Sequence, residues 1–226
     1  MIQARGLSLE RGEVFLDSLS LEVANGEIYF LLNRLGQDCD LLFRVLSGNQ
    51  PPSAGEVLFD GSRQAGKAAA VFIDRIADPA DFETEARVGD WIDFLCASGL
   101  NRENMYKTLL VCNFHERHLK KKIRELPAEI FKQVYLAACL APDLNNIVIN
   151  DFIRGAEKEF ELKFNKLLMQ QKANDRAILF LGGDIFYASE IADRVGFIKN
   201  GRLLFEADAA ELKDMDIKGL YLKLLG

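Results

Sequence analysis

The chain has 226 residues, with 28 Lys plus Arg against 34 Asp plus Glu, so its formal net charge is −6. This length allows one large domain, or one domain with an inserted lobe, and excludes a mini-protein. Hydrophobic residues form 49% of the sequence, which is typical of a globular protein and excludes a disordered chain. Because nucleic-acid binding requires a basic surface, the acidic balance predicts no nucleic-acid partner.

The sequence predicts a cytoplasmic protein. No apolar run approaches the roughly 20 residues that a transmembrane helix needs. The first eight residues lack the apolar stretch of a signal peptide. Because the cysteines lie far apart and form no C-x-x-C pair, we expect reduced thiols. They are Cys39, Cys96, Cys112 and Cys139.

The first sixty residues alternate short strands with turns. Apolar and polar residues alternate in three stretches, which predicts half-buried strands. These are residues 7–10, 19–23 and 57–59. Two dipeptides, Asn25-Gly26 and Asp60-Gly61, predict hairpin-type turns.

A continuous apolar run, residues 27–32, predicts a strand buried on both faces. It leads into a polar loop at 33–38 and then into residues 39–48, whose apolar spacing is helical and whose Gly48 suits a helix end. A buried strand, a tight loop and a helix form the skeleton of a phosphate-binding loop.

The remainder of the chain alternates helices with strands. Residues 87–141 have helical periodicity, in which Pro127 and Glu129 mark the start of a helix. Beyond them we predict strands at 146–150, 177–181, 195–199 and 202–206, and helices at 158–172, 186–193 and the end of the chain. An Asn200-Gly201 turn joins the last two strands. This alternation implies a largely parallel sheet covered on both faces, with an N-terminal antiparallel part and a helical insertion.

Several pieces of the sequence, in order and at the right spacing, resemble the ATP-binding subunit of ATP-binding cassette (ABC) transporters. The matching pieces are 19–23 with 26–28, 46–48 with 52–57 and 60–61, 192–195 with 200–202, and the tail 216–224. The resemblance implies a single P-loop NTPase-like ABC ATPase domain over residues 1–226. In it, residues 1–75 and 142–226 would form the α/β core and residues 76–141 a helical subdomain.

The residues that carry the family's chemistry are mostly replaced. Its phosphate loop follows G-x-x-x-x-G-K-[ST], in which backbone N–H groups and the Lys hold the phosphates and the hydroxyl holds Mg²⁺. The aligned residues here are Asn33, Gly36, Asp38, Cys39 and Asp40. We expect Asp38 and Asp40 to cap the following helix and to face an anionic ligand with like charge. Together with the missing Lys, they could erase a micromolar affinity of about 8 kcal/mol.

Other motif positions also depart from the family. Its acid strand ends in Asp-Glu, for Mg²⁺ and for the attacking water, where this chain has Asn150 and Asp151. Alternatively, these two residues simply begin a loop. The switch His aligns with Gly183. The signature loop Leu-Ser-Gly-Gly-Gln, which contacts the nucleotide of the partner subunit, is replaced by Leu126, Pro127, Ala128 and Glu129, which could equally be a plain helix start.

Three further groups allow more than one interpretation. Arg11 aligns near the aromatic residue that stacks on adenine, and it could stack on a base or be a solvated charge. The family's glutamine between nucleotide and permease aligns near Asp74 and Arg75. His115 and His118 have H-x-x-H spacing without further ligands, so we predict no metal site. The basic residues Arg117, Lys120, Lys121, Lys122 and Arg124 form a solvated face or contact anionic lipid or a permease loop.

A retained scaffold with replaced motifs predicts a degenerate subunit of an ABC transporter complex, a pseudo-ATPase that acts as a structural or regulatory half. The implied partners are a membrane permease and a homo- or heterodimer with another ABC ATPase, at the inner face of a membrane. Two alternatives stay open. In one, the chain still binds ATP and Mg²⁺ and hydrolyses ATP, with Arg34 replacing the Lys and Asp151 the catalytic Glu. In the other, it is a stand-alone cytosolic interaction module with no cofactor.

Overall fold

The computed structural model describes residues 1–11, 14–33, 36–63, 69–75, 85–208, 211 and 217–225. The chain divides into two compact units. Unit 1 comprises Met1–Asp74, Leu144–Asp151 and Gln171–Gly226, and unit 2 comprises Arg75–Asp143 and Phe152–Gln170. The domain boundaries expected from the sequence at residues 76 and 141 stay a prediction.

The helices and strands follow one another in an order close to that predicted. They are β1 (Ile2–Arg11), β2 (Val14–Val23), β3 (Ile28–Leu32), α1 (Gln37–Leu46), β4 (Ala54–Phe59), β5 (Val71–Ile73), α2 (Val88–Ala97), α3 (Arg102–Val111), α4 (Ala128–Leu140), β6 (Asn146–Asn150), α5 (Lys158–Ala173), β7 (Ala177–Gly182), α6 (Ile185–Ile191), β8 (Arg194–Lys199), β9 (Arg202–Asp208) and α7 (Ile217–Leu225). Two short 3₁₀ helices, Glu116–Lys120 and Ile123–Glu125, lie between α3 and α4.

Unit 1 holds two β-sheets among the described residues. β2, β1 and β4 form an antiparallel sheet in that order. The second sheet has the order β5-β6-β7-β3-β8-β9, and its neighbours are parallel except β8 and β9. Every residue of β3, β6 and β7 is buried, as expected for strands inside a parallel sheet. The predicted α/β fold with an N-terminal antiparallel part is therefore confirmed.

The turns predicted from Asn-Gly and Asp-Gly pairs have different outcomes. Asn200 and Gly201 join β8 to β9 with φ values of 50° and 68°, as in a type I′ hairpin turn. Asp60 and Gly61 have φ values of 50° and 76° and form a tight turn. The turn is closed by one isolated antiparallel bridge, between Phe59 and Ser62. The hairpin predicted at Asn25-Gly26 is wrong, because this turn leads from β2 to β3, which pair in different sheets.

Unit 2 is mainly helical in its described part, as the sequence predicts. Its apolar side chains form one buried cluster, to which α2, α3 and α4 all contribute. The cluster includes Val88, Ile92, Met105, Leu109, Phe131 and Val134. Among the described residues, we find no helix with the combined length and apolar character that a membrane crossing requires.

Candidate functional site

The loop between β3 and α1 is the position aligned with a phosphate-binding loop. Gly36 is the N-cap of α1 and adopts a left-handed conformation with φ 76°, which glycine reaches without strain. α1 begins at Gln37, two residues before the predicted start at Cys39. Asn33 is fixed at the end of β3, since its N–H donates to the Gly182 carbonyl over 3.0 Å. Arg34 lies outside the described residues.

Asp38 turns away from the start of α1. The N-cap residue, Gly36, has no side chain to cap this helix, and Asp38 and Asp40 both lie in its first turn. For Asp38, the expected bond to the helix N-terminus is wrong, because its carboxylate bonds elsewhere. Because α1 begins at Gln37, Asp38 lies within the first turn, and its buried carboxylate accepts the backbone N–H groups of Asn200 and Gly201 and, at 3.0 Å, Asn33 Nδ2. Burial raises the pKa of Asp38, and these hydrogen bonds oppose the rise. The Asp38 carboxylate therefore ties α1 to the β8–β9 turn.

Cys39 occupies the position of the phosphate-binding lysine but points back into the fold. It is buried, and its Sγ donates to the Leu31 carbonyl over 3.6 Å. Burial raises the pKa of the thiol well above its usual value, and the negative charges of Asp38 and Asp40 raise it further. This side chain is a neutral thiol and brings no positive charge to the loop.

Asn150 bridges two carboxylates. It is the last residue of β6 and is only 3% exposed. Its amide Nδ2 donates to Asp40 Oδ1 over 3.0 Å and to Asp74 Oδ1 over 2.8 Å. An amide nitrogen carries two hydrogens, so each carboxylate receives one. We call this arrangement the amide bridge; it joins three positions that lie in separate motifs of the sequence.

The residue after the amide bridge begins a loop. Asp151 has φ 47°, and its N–H donates to the Leu181 carbonyl over 2.8 Å. Of the two predictions for this dipeptide, a loop start therefore describes Asp151, whereas Asn150 belongs to the strand and to the amide bridge. The sequence carries one signal for the bridge, since an Asn replaces an acid on β6 while an Asp replaces a hydroxyl on α1.

A buried acceptor oxygen lies beside the loop. Asn33 Nδ2 donates to Asp38 Oδ2 and to the Ile198 carbonyl, both over 3.0 Å. Among the described residues, no donor reaches the buried Asn33 Oδ1. The first glycine position of the motif therefore presents a side-chain oxygen where the family presents backbone N–H groups.

The switch position, Gly183, follows β7 and has no side chain to offer a ligand. Its carbonyl accepts Tyr221 Oη, from α7, over 3.2 Å. The next residue, Asp184, caps α6 by accepting the N–H groups of Phe186 and Tyr187 over 2.9 and 3.0 Å. This loop is thus held by its own helix cap and by α7.

In unit 2, the signature position is an ordinary helix start with an acidic first turn. Pro127 is the N-cap of α4, which begins at Ala128, directly after Leu126. Glu129 pairs with Lys132 at 3.0 Å. Glu129 Oε2 and Gln133 Oε1 are buried, and no donor among the described residues reaches them. This turn therefore presents acceptor oxygens rather than the donors that a phosphate needs.

Several other predicted site residues take no part in the phosphate-loop position, the amide bridge, the switch position or the signature position. The side chain of Arg11 lies outside the described residues, although its backbone ends β1. His115 and His118 flank a 3₁₀ turn, in which the His118 N–H donates to the His115 carbonyl over 2.9 Å. Within the described part of the chain, no group of three or more His, Cys, Asp or Glu could hold a metal ion.

Comparisons with known proteins agree with the fold. No family model matches the sequence. The chain is 21% identical to the oligopeptide transport ATP-binding protein OppF of Streptococcus pyogenes, over 94% of this chain and 76% of that protein. It is 29% identical to the aliphatic sulfonates import ATP-binding protein SsuB of Frankia casuarinae, over 89% of this chain and 64% of that protein. The chain is a homologue of ABC transporter ATP-binding subunits.

A solved structure has the same fold. CbiO1 from Clostridium perfringens, part of the ABC transporter complex CbiONQ, matches with a TM-score of 0.77 at 18% identity. The match covers 99% of this chain and 95% of that one. At this identity the likeness concerns the fold alone, and the ABC ATP-binding subunit fold is confirmed.

For a homologue of ABC ATP-binding subunits, the residues at the phosphate loop and acid strand do not fit ATP and Mg²⁺. The lysine position holds a buried thiol, and the hydroxyl and acid positions hold Asp40 and Asn150, which bond to each other. Mg²⁺ prefers oxygen ligands in octahedral geometry, whereas the Asn150 amide presents N–H donors to both carboxylates.

Proposed function

We propose that the chain is a subunit of an ABC transporter complex that has lost ATP hydrolysis and serves as a structural or regulatory half. The amide bridge carries this proposal. Two of its members, Asp40 and Asn150, occupy the positions from which the family handles Mg²⁺, and their polar atoms bond to each other and to Asp74. The scaffold is thus maintained by bonds that do not need the nucleotide.

Electrostatics support the same conclusion. A nucleotide triphosphate in this loop would lie near the negative charges of Asp38 and Asp40, which act on the lysine position at Cys39. Two nearby like charges and a missing lysine each cost roughly a few kcal/mol in a partly buried site. Their sum is comparable with the whole free energy of a micromolar complex, about 8 kcal/mol.

The signature position supports a loss of function in a dimer as well. A phosphate on a partner subunit would need N–H donors at the start of α4, and Pro127 has no N–H to donate. Glu129 adds a carboxylate in the first helical turn, only partly offset by Lys132. Neither this chain's own site nor the site it would complete for a partner is then suited to hydrolysis.

The implied partners are a membrane permease and a second ATP-binding subunit, either another chain or a copy of this one. CbiO1 is part of a transporter complex, and OppF and SsuB are named for transport and import. We propose by analogy that this chain works in the cytoplasm, peripherally on the inner face of a membrane.

Co-purification tests the transporter role. We expect the affinity-tagged chain, isolated from detergent-solubilised membranes, to retain a permease with several membrane spans and an ATP-binding subunit, identified by mass spectrometry. A tagged soluble protein of similar size and charge serves as the control. Recovery of the chain only from the soluble fraction, without a permease, would instead favour a stand-alone interaction module.

A further inference from the structure

An exposed stretch of unit 2 combines basic and apolar side chains. It runs from Tyr106 through the end of α3 and the first 3₁₀ helix to Lys121, and we call it the basic–apolar segment. Its exposed apolar side chains are Tyr106, 43% exposed, and Leu110, 77% exposed. Its exposed basic side chains are Lys107, Arg117, Lys120 and Lys121. None of these residues is aligned with a nucleotide-binding motif of the family, so the proposed function does not explain why they are exposed together.

The two apolar residues share one face of α3. Tyr106 and Leu110 are four residues apart, so their side chains are neighbours on the helix surface. The residues that α3 buries are Met105, Thr108 and Leu109, whereas Tyr106 and Leu110 are exposed. A single exposed Leu is common in proteins, but here it lies next to an exposed aromatic residue and leads directly into the basic residues.

The charge of the segment opposes that of the chain. The chain has a net charge of −6, yet Glu116 is the one acid between Tyr106 and Lys121. Nearby basic residues are already paired, Lys107 with Glu103 at 2.7 Å and Lys122 with Glu85 at 2.5 Å. Among the residues that the structure describes, no carboxylate forms an ion pair with the remaining three, Arg117, Lys120 and Lys121.

The backbone beneath these charges is fixed. The Val88 N–H donates to the Lys121 carbonyl over 3.0 Å, and the Lys121 N–H donates to the His118 carbonyl over 3.1 Å. His118 is buried under the segment, and burial, followed by the charges of Arg117 and Lys121, lowers its pKa. The imidazole is therefore neutral at pH 7, and the positive charges are held on an ordered surface.

We propose that the basic–apolar segment binds the surface of an anionic lipid bilayer, with Arg117, Lys120 and Lys121 at the headgroup phosphates and Tyr106 and Leu110 in the interface. Basic residues near anionic lipid gain binding energy, and adjacent aromatic and leucine side chains enter the headgroup region. An acidic protein surface would match the charges. However, protein interfaces are depleted of lysine, whereas lysine beside aromatic and leucine side chains is typical of segments that bind a membrane surface.

Vesicle sedimentation with the purified full chain, without permease or nucleotide, tests this binding. We expect the chain to sediment with vesicles of equal parts phosphatidylglycerol and phosphatidylcholine but not with phosphatidylcholine alone. Binding should weaken as salt rises from about 50 to about 500 mM, because the Debye length falls below about 10 Å once the ionic strength exceeds about 0.1 M. Since nucleotide is absent from the assay, its outcome is independent of whether ATP hydrolysis is lost.

Charge reversal locates the surface. The double variant Lys120→Glu with Lys121→Glu should lower the vesicle partition coefficient roughly thirtyfold or more, since each lysine near such a surface contributes about a factor of five. The matched control is Lys158→Glu with Lys166→Glu, the same change of charge on exposed residues of α5 in the same unit. A third variant, Leu110→Ser with Tyr106→Ser, should weaken binding without changing its salt dependence.

Three results would overturn the proposal. They are equal binding to neutral vesicles, an equal loss of binding in the α5 control, and no binding to anionic vesicles at 50 mM salt. If the chain binds soluble polyglutamate but not vesicles, and the Lys120 and Lys121 reversal abolishes that binding, the partner is an acidic protein segment rather than lipid.

Discussion

Replacing Gly201 with alanine should lower the free energy of unfolding by about 2 to 5 kcal/mol, the sum of left-handed backbone strain and overpacking. Gly201 has φ 68°, and a Cβ there would lie 2.2 Å from the Phe15 carbonyl oxygen and 2.7 Å from Leu16 Cα. Both of these are backbone atoms of β2, so no side-chain rotation relieves the clash. Urea unfolding followed by circular dichroism measures the change.

The matched control is Gly61→Ala. Gly61 is also the second residue of a two-residue turn and has φ 76°, but a Cβ there meets nothing within 4 Å. Only the strain of the left-handed conformation remains, about 1 to 2 kcal/mol. If the two substitutions cost the same, the close approach of the β8–β9 turn to β2 is contradicted.

Gly201 is important for stability because β2, the β8–β9 turn and the start of α1 are joined by hydrogen bonds at this residue. The Gly201 carbonyl accepts the Asp17 N–H of β2 over 3.0 Å, and its own N–H donates to the Asp38 carboxylate at the start of α1. The turn thus joins the antiparallel sheet and the aligned phosphate loop. A substitution at Gly201 should therefore disturb Asp38 as well as β2.

Replacing Asn150 with alanine should lower the free energy of unfolding by about 3 kcal/mol or more, since hydrogen bonds to charged groups contribute about 1.5 to 3 kcal/mol each. The change removes both bonds of the amide bridge at a buried position. The carboxylates of Asp40 and Asp74 then lose the donor that joins them. Urea unfolding at pH 7 measures the effect, and a cost below about 1 kcal/mol would mean that the bridge carries little weight.

Asn150→Asp is the matched partner of that variant, because it keeps the shape of the side chain and replaces its donors with a negative charge. We expect it to be destabilised as well, through repulsion with Asp40 and Asp74. Millimolar Mg²⁺ should raise its melting temperature, because three carboxylates supply the oxygen ligands that this ion prefers. Wild type and Asn150→Ala should not respond to Mg²⁺; an equal response in all three would contradict the role of the amide bridge.

The strands and helices could be predicted from local patterns. The continuous apolar runs of β3, β6 and β7 are buried throughout, and the Asn200-Gly201 turn joins two strands as expected. The same kind of signal failed at Asn25-Gly26, because whether a turn closes a hairpin depends on strand pairing far along the chain. An Asn-Gly dipeptide predicts that the chain turns, but it does not predict whether the two strands beside the turn pair with each other.

The candidate site was harder to predict because its contacts are long-range. Asn150 is 110 residues from Asp40 and 76 from Asp74, so each replacement, taken alone, indicated only a lost function. Together they are complementary, an amide between two acids. Asp38 was expected at the helix cap, but an earlier helix start and the N–H groups of a turn more than 160 residues away determine its contacts. The pair of Glu129 and Lys132, in contrast, has i, i+3 spacing that can be read from the sequence.

Equilibrium binding of labelled ATP with Mg²⁺ to the purified wild-type chain tests the central claim most directly. We expect a Kd weaker than about 1 mM and no rise in melting temperature, whereas a ligand at a hundredfold over its Kd would stabilise the fold by about 2.7 kcal/mol. Arg34→Ala is the matched variant, because Arg34 is the residue that could replace the missing lysine. A Kd of about tens of micromolar or below that Arg34→Ala abolishes would contradict the account and make the chain a nucleotide-binding subunit with substituted residues.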